Sequence, residues 1–243
     1  MTQGSGVAAP RFNLVFYDLD GTLVDSRPGI EASLRAAFAA HAPGVEPPPL
    51  GTLLGQPLAG LLRGVLPGLD RATLAAVAAT FTEHYDADGW RLSRPYPGVP
   101  AALRALAAAG VRQVVLTNKR LRPTTAILSA CDLAPFVERV FTPDSASPPY
   151  PDKAAMARAA CAACAAPGDR LLVIGDSADD LRMADACHAA FAAAAYGYGD
   201  AVAASGCRTA GRGATAAAAP LVLRSATGIV DLVMSAGGPA HAQ

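Results

Sequence analysis

The chain has 243 residues, 20 Lys+Arg against 20 Asp+Glu, a formal net charge of +0 and 52% hydrophobic residues. That balance excludes a dedicated nucleic-acid surface and a polybasic membrane patch, which both need a basic face. The apolar content excludes disorder over the bulk of the chain. Alanine takes 56 positions, and of the 20 basic residues only Lys119 and Lys153 are lysine. Each of these two ammonium groups therefore asks why arginine does not serve in its place.

Residues 1–10 are small and polar, with no basic n-region or long apolar stretch, and read as a loose tail. Leu14 to Tyr17 is a short apolar, β-prone run ending at Asp18. From Arg27 to Arg94 the pattern is helical. Ile30, Leu34 and Phe38 recur at helical spacing, and Pro57 to Leu66 predicts a short apolar helix. Asp70 is placed to cap a helix carrying Leu74, Val77, Phe81 and Tyr85. The loop His41 to Gly55 contains Pro47, Pro48 and Pro49, and Arg94-Pro-Tyr-Pro-Gly98 marks a return to the core. Ala101 to Gly110 then predicts a helix leading into a second apolar run, Val114 to Leu116, which ends at Thr117. A third run, Leu171 to Ile174, ends at Gly175-Asp176. Arg139 to Thr142, the segment near Phe191, and Leu221 to Leu223 are weaker strand candidates.

Continuous apolar runs alternating with helical stretches predict an α/β fold with a doubly wound, Rossmann-like parallel sheet. The gap after the first strand is too long for one crossover, so an all-helical cap is predicted as an insertion. The expected division is a core of 11–26 and 95–236, a cap of 27–94, and tails at 1–10 and 237–243. The longest uncharged runs, such as Ala186 to Gly199, fall short of the roughly 20 residues of a membrane span. Five cysteines, an odd number without a disulfide-framework spacing, suit a reducing cytoplasm. Cys161-Ala-Ala-Cys164 has neither a redox context nor a second pair for zinc, and reads as small apolar helix residues.

Ligands in such sheets bind beyond the carboxyl ends of the strands, so the polar residues closing the three runs converge on one rim. In Asp18-Leu-Asp-Gly-Thr-Leu-Val-Asp-Ser26, two carboxylates two apart at a strand end can face one cleft, and Gly21 lets the chain turn away with its N–H near a ligand. One such Asp can attack phosphorus, while its neighbour protonates the leaving oxygen and later activates water. Gly175-Asp-Ser-Ala-Asp-Asp180 adds a second acidic cluster. Gathering Asp18, Asp20, Asp176 and Asp180 without a cation costs about 4 kcal/mol per close pair at an effective dielectric near 20. Oxygen-only ligands suit Mg²⁺. Asp179 is expected to cap the following helix, and Asp180 to be linked to the cation. Thr117 and Asn118 offer a hydroxyl and backbone N–H groups to phosphoryl oxygens. Lys153, after Pro151-Asp152 at a helix start, places a compact charge where phosphate and an attacking carboxylate need one. Lys119 has two open readings, a solvated neighbour or a member of the site.

These residues resemble the haloacid dehalogenase superfamily, and within it the phosphoglycolate phosphatase-like group with a helical cap after the first motif. The similarity runs from Asp18 through Tyr96-Pro-Gly98, Leu116-Thr-Asn-Lys119 and Gly175-Asp-Ser177 to Tyr196-Gly-Tyr-Gly199. It implies that Asp18 is the nucleophile and Asp20 the general acid/base, that Thr117 binds the phosphoryl group, and that Lys153 is the third-motif lysine. It further implies that Asp176 holds Mg²⁺ with Asp18 and the Asp20 carbonyl, while Asp180 supports metal and lysine. Relatives often carry Lys-Pro-x-Pro at the third motif, where this chain has Pro149-Tyr-Pro151 after Pro148; the Lys153-Ala154 pair at the helix start follows the family's other pattern.

The expected activity is Mg²⁺-dependent hydrolysis of a small phosphorylated metabolite, 2-phosphoglycolate first, by a monomer or homodimer. Pyrophosphate, sugar phosphates and nucleoside monophosphates are alternatives within the family. Residues 27–94 contain no lysine, which excludes a phosphonatase-type Schiff base, and Gly-Thr after the second Asp argues against a mutase. A phosphoacceptor signalling domain or a non-catalytic binding protein is the alternative of another class. The inserted cap and an in-site acid argue against the first, and the presence of all four chemical groups argues against the second. In the cap, Arg35, Arg63, Arg71 and His41 are candidates to meet a substrate carboxylate.

Overall fold

The computed structural model describes residues 9–47, 68–199 and 221–235. Strands in chain order are Leu14–Tyr17 (β1), Val24–Asp25 (β2), Arg94–Pro95 (β3), Arg112–Leu116 (β4), Arg139–Phe141 (β5), Leu171–Gly175 (β6), Ala190–Ala194 (β7) and Leu221–Leu223 (β8). Helices are Arg27–His41 (α1), Arg71–Ala87 (α2), Val99–Ala108 (α3), Leu121–Ala130 (α4), Lys153–Cys164 (α5), Ala178–Ala186 (α6) and Ile229–Met234 (α7).

Every residue of β1 is buried, because the strand is the centre of a six-stranded parallel sheet ordered β5-β4-β1-β6-β7-β8. Its alternation splits the core in two. Val15 and Tyr17 pack with Leu103 and Leu106 of α3, Ile127 of α4 and Ile229 of α7. Leu14 and Phe16 face the other side, against Met156 and Ala160 of α5 and Met183 and Ala184 of α6. The chain leaves β1, builds β4 and β5 on one side, then crosses to β6, β7 and β8 on the other. The β4-β1-β6 triplet is thus the topological switch point, where α/β sheets open a crevice for ligands.

The three strong sequence runs and the three weaker ones all form sheet strands. The pairing of β2 with β3 was not readable: two-residue strands carry no periodicity, and their antiparallel match, Val24 with Pro95 and Asp25 with Arg94, joins positions seventy residues apart. These strands bracket the segment holding α1 and α2, which pack together through Leu34, Phe38 and Val77. Asp70 caps α2 as its position suggested, its Oδ1 accepting from the N–H of Ala72 at 2.8 Å and of Thr73 at 2.9 Å. Helix α3 starts at Val99, two residues before the sequence signal, with Pro100 in the first turn where its missing N–H costs nothing. The apolar helix expected at Pro57 to Leu66 and the cap candidate Arg63 lie outside the described residues.

Candidate active site

Asp18, Thr117 and Asp176 each follow the last residue of one strand in the β1, β4, β6 triplet, which sets them side by side on one rim. Their backbones continue the ladder: Asp18 N–H donates to the Ile174 carbonyl at 3.0 Å and Thr117 N–H to that of Phe141 at 3.1 Å. After Asp18 the chain doubles back, Gly21 N–H meeting the Val24 carbonyl at 2.9 Å, with Gly21 at φ +82°. The turn brings Gly21 against Asp176, so close that a Cβ there would sit 2.2 Å from the Asp176 Oδ2.

Lys153 is the first residue of α5, whose N-cap Asp152 accepts from the Ala155 N–H at 2.7 Å. From there its Nζ reaches 2.6 Å from Asp18 Oδ1 and 2.5 Å from Asp180 Oδ1, with only 4% of the side chain exposed. Burial opposes its charge, but the facing carboxylates of Asp18 and Asp180 outweigh that and hold its pKa above the usual lysine value. The acids respond in the opposite sense. Burial, reinforced by Asp180, Asp176 and Asp20, pushes Asp18 well above the carboxylate range although Lys153 pulls it down. Burial and Asp180 raise Asp176 to about 7, against Lys153 and the N–H groups of Tyr198 and Gly199.

Among the described residues, Asp18, Asp176 and Asp180 form the cluster of metal-ligating groups, each offering an oxygen within 4.8 Å of the others. The donors are all hard carboxylate oxygens, one ammonium does not balance three acids, and the raised pKa values record the shortfall. The set therefore fits a hard divalent cation such as Mg²⁺. Two residues behave differently from expectation. The Asp20 carboxylate stands outside this cluster: Oδ1 accepts from Ser26 Oγ at 2.5 Å and Oδ2 lies 3.1 Å from Lys119 Nζ. And it is Asp180, not Asp179, that caps α6, its Oδ2 accepting from Ser177 N–H at 3.0 Å and Ser177 Oγ at 2.7 Å. Its position three residues into α6 points it back at Ser177 in a capping box, leaving the other oxygen for Lys153. Asp179 instead pairs with Arg182 and accepts from Asn118 Nδ2 at 3.3 Å.

These groups open into a cavity of about 710 Å³, roofed by Ile30, Leu34 and Phe81 of α1 and α2 and floored by Asp18, Asp20 and Lys153. Thr117 and Asn118 line it too. Of the described cap candidates, Arg35 pairs with Glu31 at 3.9 Å, His41 bonds Thr80 Oγ1 at 2.8 Å, and Arg71 is exposed; none of the three lines the cavity.

Sequence reasoning assigned no role to the segment Tyr196 to Gly199, which wraps Asp176: Tyr198 and Gly199 donate their N–H groups to Asp176 Oδ2 at 3.1 and 2.9 Å. A Cβ on Gly197 or Gly199 would collide with Asp176, so alternate glycines were the legible signal for a close backbone approach. The Cys161-Ala-Ala-Cys164 pair takes no part: Cys164 is buried against the sheet, and the thiol partner of Cys161 is Cys187. No helix of the described residues is long and apolar enough to cross a membrane.

The chain is 34% identical over 196 residues to a phosphoglycolate phosphatase of Cereibacter sphaeroides, covering 76% of this chain and 85% of that one. It is 36% identical over 171 residues to a phosphoglycolate phosphatase of Caulobacter vibrioides, covering 68% and 72%. A solved haloacid dehalogenase-like hydrolase from Streptococcus pneumoniae superposes with a TM-score of 0.68 at 23% identity, over 78% of this chain and 87% of that one. The haloacid dehalogenase-like hydrolase family model matches residues 12–188, and the chain belongs to that family.

Proposed function

We propose that the protein is a Mg²⁺-dependent phosphomonoesterase whose substrate is a small phosphorylated metabolite, 2-phosphoglycolate first. The observation that carries this reading is the pairing at the cavity floor: a buried carboxylate, Asp18, held by an ammonium, with a second acid two residues on lining the same space. The names of the two curated relatives support 2-phosphoglycolate.

In this reading an Asp18 oxygen attacks phosphorus, forming an acyl phosphate as the ester P–O bond breaks. Asp20 gives its proton to the departing oxygen. Asp20 then takes a proton from water as that water attacks phosphorus, and Asp18 and inorganic phosphate separate. Thr117 and Asn118 bind phosphoryl oxygens, and Lys153 offsets charge on Asp18 and the phosphoryl group. Asp18, Asp176 and the Asp20 backbone carbonyl would hold Mg²⁺, with Asp180 behind them. When bound, the ion neutralises the acids and polarises the phosphoryl oxygens. Helices α1 and α2 form the cap that closes over the bound substrate and keeps bulk solvent from the site.

The test is release of inorganic phosphate from 2-phosphoglycolate and from p-nitrophenyl phosphate, with and without Mg²⁺. Turnover that requires Mg²⁺ and disappears in Asp18→Asn supports the reading; full turnover in Asp18→Asn overturns it.

A further inference from the structure

The two lysines of the chain each engage one of the two aspartates of the first motif. Lys153 holds Asp18, whereas Lys119 Nζ lies 3.1 Å from Asp20 Oδ2 and its side chain is 8% exposed. Lys119 is fixed at its root, its N–H donating to Thr117 Oγ1 at 3.2 Å. Its tip donates to the Tyr85 hydroxyl at 2.7 Å and stands 4.3 Å from the centroid of that ring. Tyr85 belongs to α2, on the other side of the cavity. It is buried, stacked on Phe81 at 5.7 Å, and lies so near Gly89 that a Cβ there would come within 2.9 Å of the ring. The next residues repeat the joint, Arg120 donating to both oxygens of Asp86 on α2.

A buried ammonium is costly unless its protons are matched. Lys119 meets that need with one acceptor from the catalytic turn and one from α2. The Asp20 carboxylate is in turn gripped on both oxygens, by Ser26 and by Lys119, and Ser26 Oγ is 3.1 Å from the Tyr198 hydroxyl. Seating α2 therefore completes the environment of Lys119, and Lys119 fixes the direction of Asp20. Withdrawing α2 removes the hydroxyl and the ring together and leaves the ammonium to turn toward water.

We propose that Lys119 is a positioning residue for Asp20 and that Tyr85 makes its grip conditional on α2 lying over the site. The phosphoryl chemistry then has an aligned proton donor only when the cavity is covered. The proposal rests on the phosphatase reading for its kinetic consequence, but not for the contact itself.

Having two lysines makes the contact directly observable. Protein carrying ¹⁵N-lysine gives two Nζ signals, assigned by loss of one in Lys119→Met. Tyr85→Phe and Asp20→Asn are each expected to shift the Lys119 signal and speed its proton exchange, and Tyr85→Phe to leave that of Lys153 in place. An unmoved Lys119 signal in Tyr85→Phe overturns the link to α2. The kinetic arm compares ethyl phosphate, whose leaving group needs a proton, with p-nitrophenyl phosphate, whose leaving group does not. Lys119→Met should lower kcat/KM, which reads acyl-phosphate formation and not the water-attack step the two esters share, by about 10–100-fold more on the ethyl ester than on the aryl ester, a part of the roughly 10²–10⁴-fold that a placed general acid contributes. Tyr85→Phe should show the same pattern to a smaller degree. Equal losses on both esters mark a merely structural role. A rise in KM confined to 2-phosphoglycolate, with kcat/KM on the ethyl ester unchanged, marks a reader of the substrate carboxylate; both results overturn the proposal. Wild-type protein that hydrolyses none of these esters refutes the phosphatase reading, and the Nζ signals still decide whether Asp20 and Tyr85 hold Lys119.

Discussion

Lys153 and Asp18, 135 positions apart, meet at 2.6 Å in a site that leaves about one twentieth of either side chain exposed. The same ammonium lies 2.5 Å from Asp180, so it fills a space shaped for a compact point charge. A guanidinium is planar and broader and offers its donors as a rigid fork. Lys153→Arg is therefore expected to fold yet lose about two orders of magnitude in kcat, comparable to losing one electrostatic contact to a developing charge. Steady-state kinetics with matched circular dichroism check this, and near-normal turnover in the arginine variant would refute it.

The acidic cluster predicts a pH-dependent response to metal. The Asp176 carboxyl is held up to about 7 against an ordinary 3.8, and Asp18 is raised as well. Between those values the metal-free folded protein keeps a proton on Asp176 that the unfolded chain has released. Its stability therefore falls as pH rises from about 4 to about 7. A divalent cation relieves this repulsion and competes with protons. MgCl₂ should raise Tm more at pH 8 than at pH 5, each kcal/mol of differential stabilisation adding about 2–4 °C at this chain length. Thermal denaturation in the two buffers decides it; equal shifts would mean that the carboxylates are not the binding site.

How much of this was legible depends on range. Asp18, Thr117 and Asp176 were readable because buried parallel strands are unbroken apolar runs and stop abruptly at polar residues. Lys153 stood out because arginine supplies nearly every other cation. The contacts of Lys119 were not readable, since they reach Tyr85, which the sequence presents as the last member of the Leu74, Val77, Phe81 stripe and hence as ordinary core. Ser26 and Tyr198, which meet at 3.1 Å beside Asp20, are 172 positions apart and share no pattern. The exchange of roles between Asp179 and Asp180 had a local cause: adjacent acids in a first turn differ by 100° around the axis, and only the phase of α6 tells which reaches back to Ser177.

Arg120 and Asp86 form a two-pronged pair between the loop after β4 and α2, at 2.8 and 2.6 Å, with Arg120 41% exposed and Asp86 12%. Partial exposure limits the pair to about 1 kcal/mol. Arg120→Ala and Asp86→Ala are each expected to lower kcat/KM by about fivefold, that energy expressed as a ratio. The double variant should be no worse than either single one, because both remove the same contact. Additive losses in the double-mutant cycle would show that the two side chains act separately.

Gly21 and Gly110 separate the cost of a backbone shape from the cost of crowding the site. Both have positive φ, +82° and +77°. A Cβ on Gly110 would meet nothing within 4 Å, whereas one on Gly21 would lie 2.2 Å from Asp176 Oδ2 and 2.9 Å from Tyr198 Cε2. Alanine at either position pays for a left-handed conformation, about 1–2 kcal/mol. Only at Gly21 must Asp176 also move, and its carboxylate belongs to the cluster that fits the cation. Gly110→Ala should therefore lower Tm while keeping both turnover and the Mg²⁺-induced rise in Tm. Gly21→Ala should lower Tm by at least as much and lose both of those properties. If Gly21→Ala keeps the Mg²⁺ response, Asp176 is not held where the cation binds; if Gly110→Ala loses it, the effect is general destabilisation.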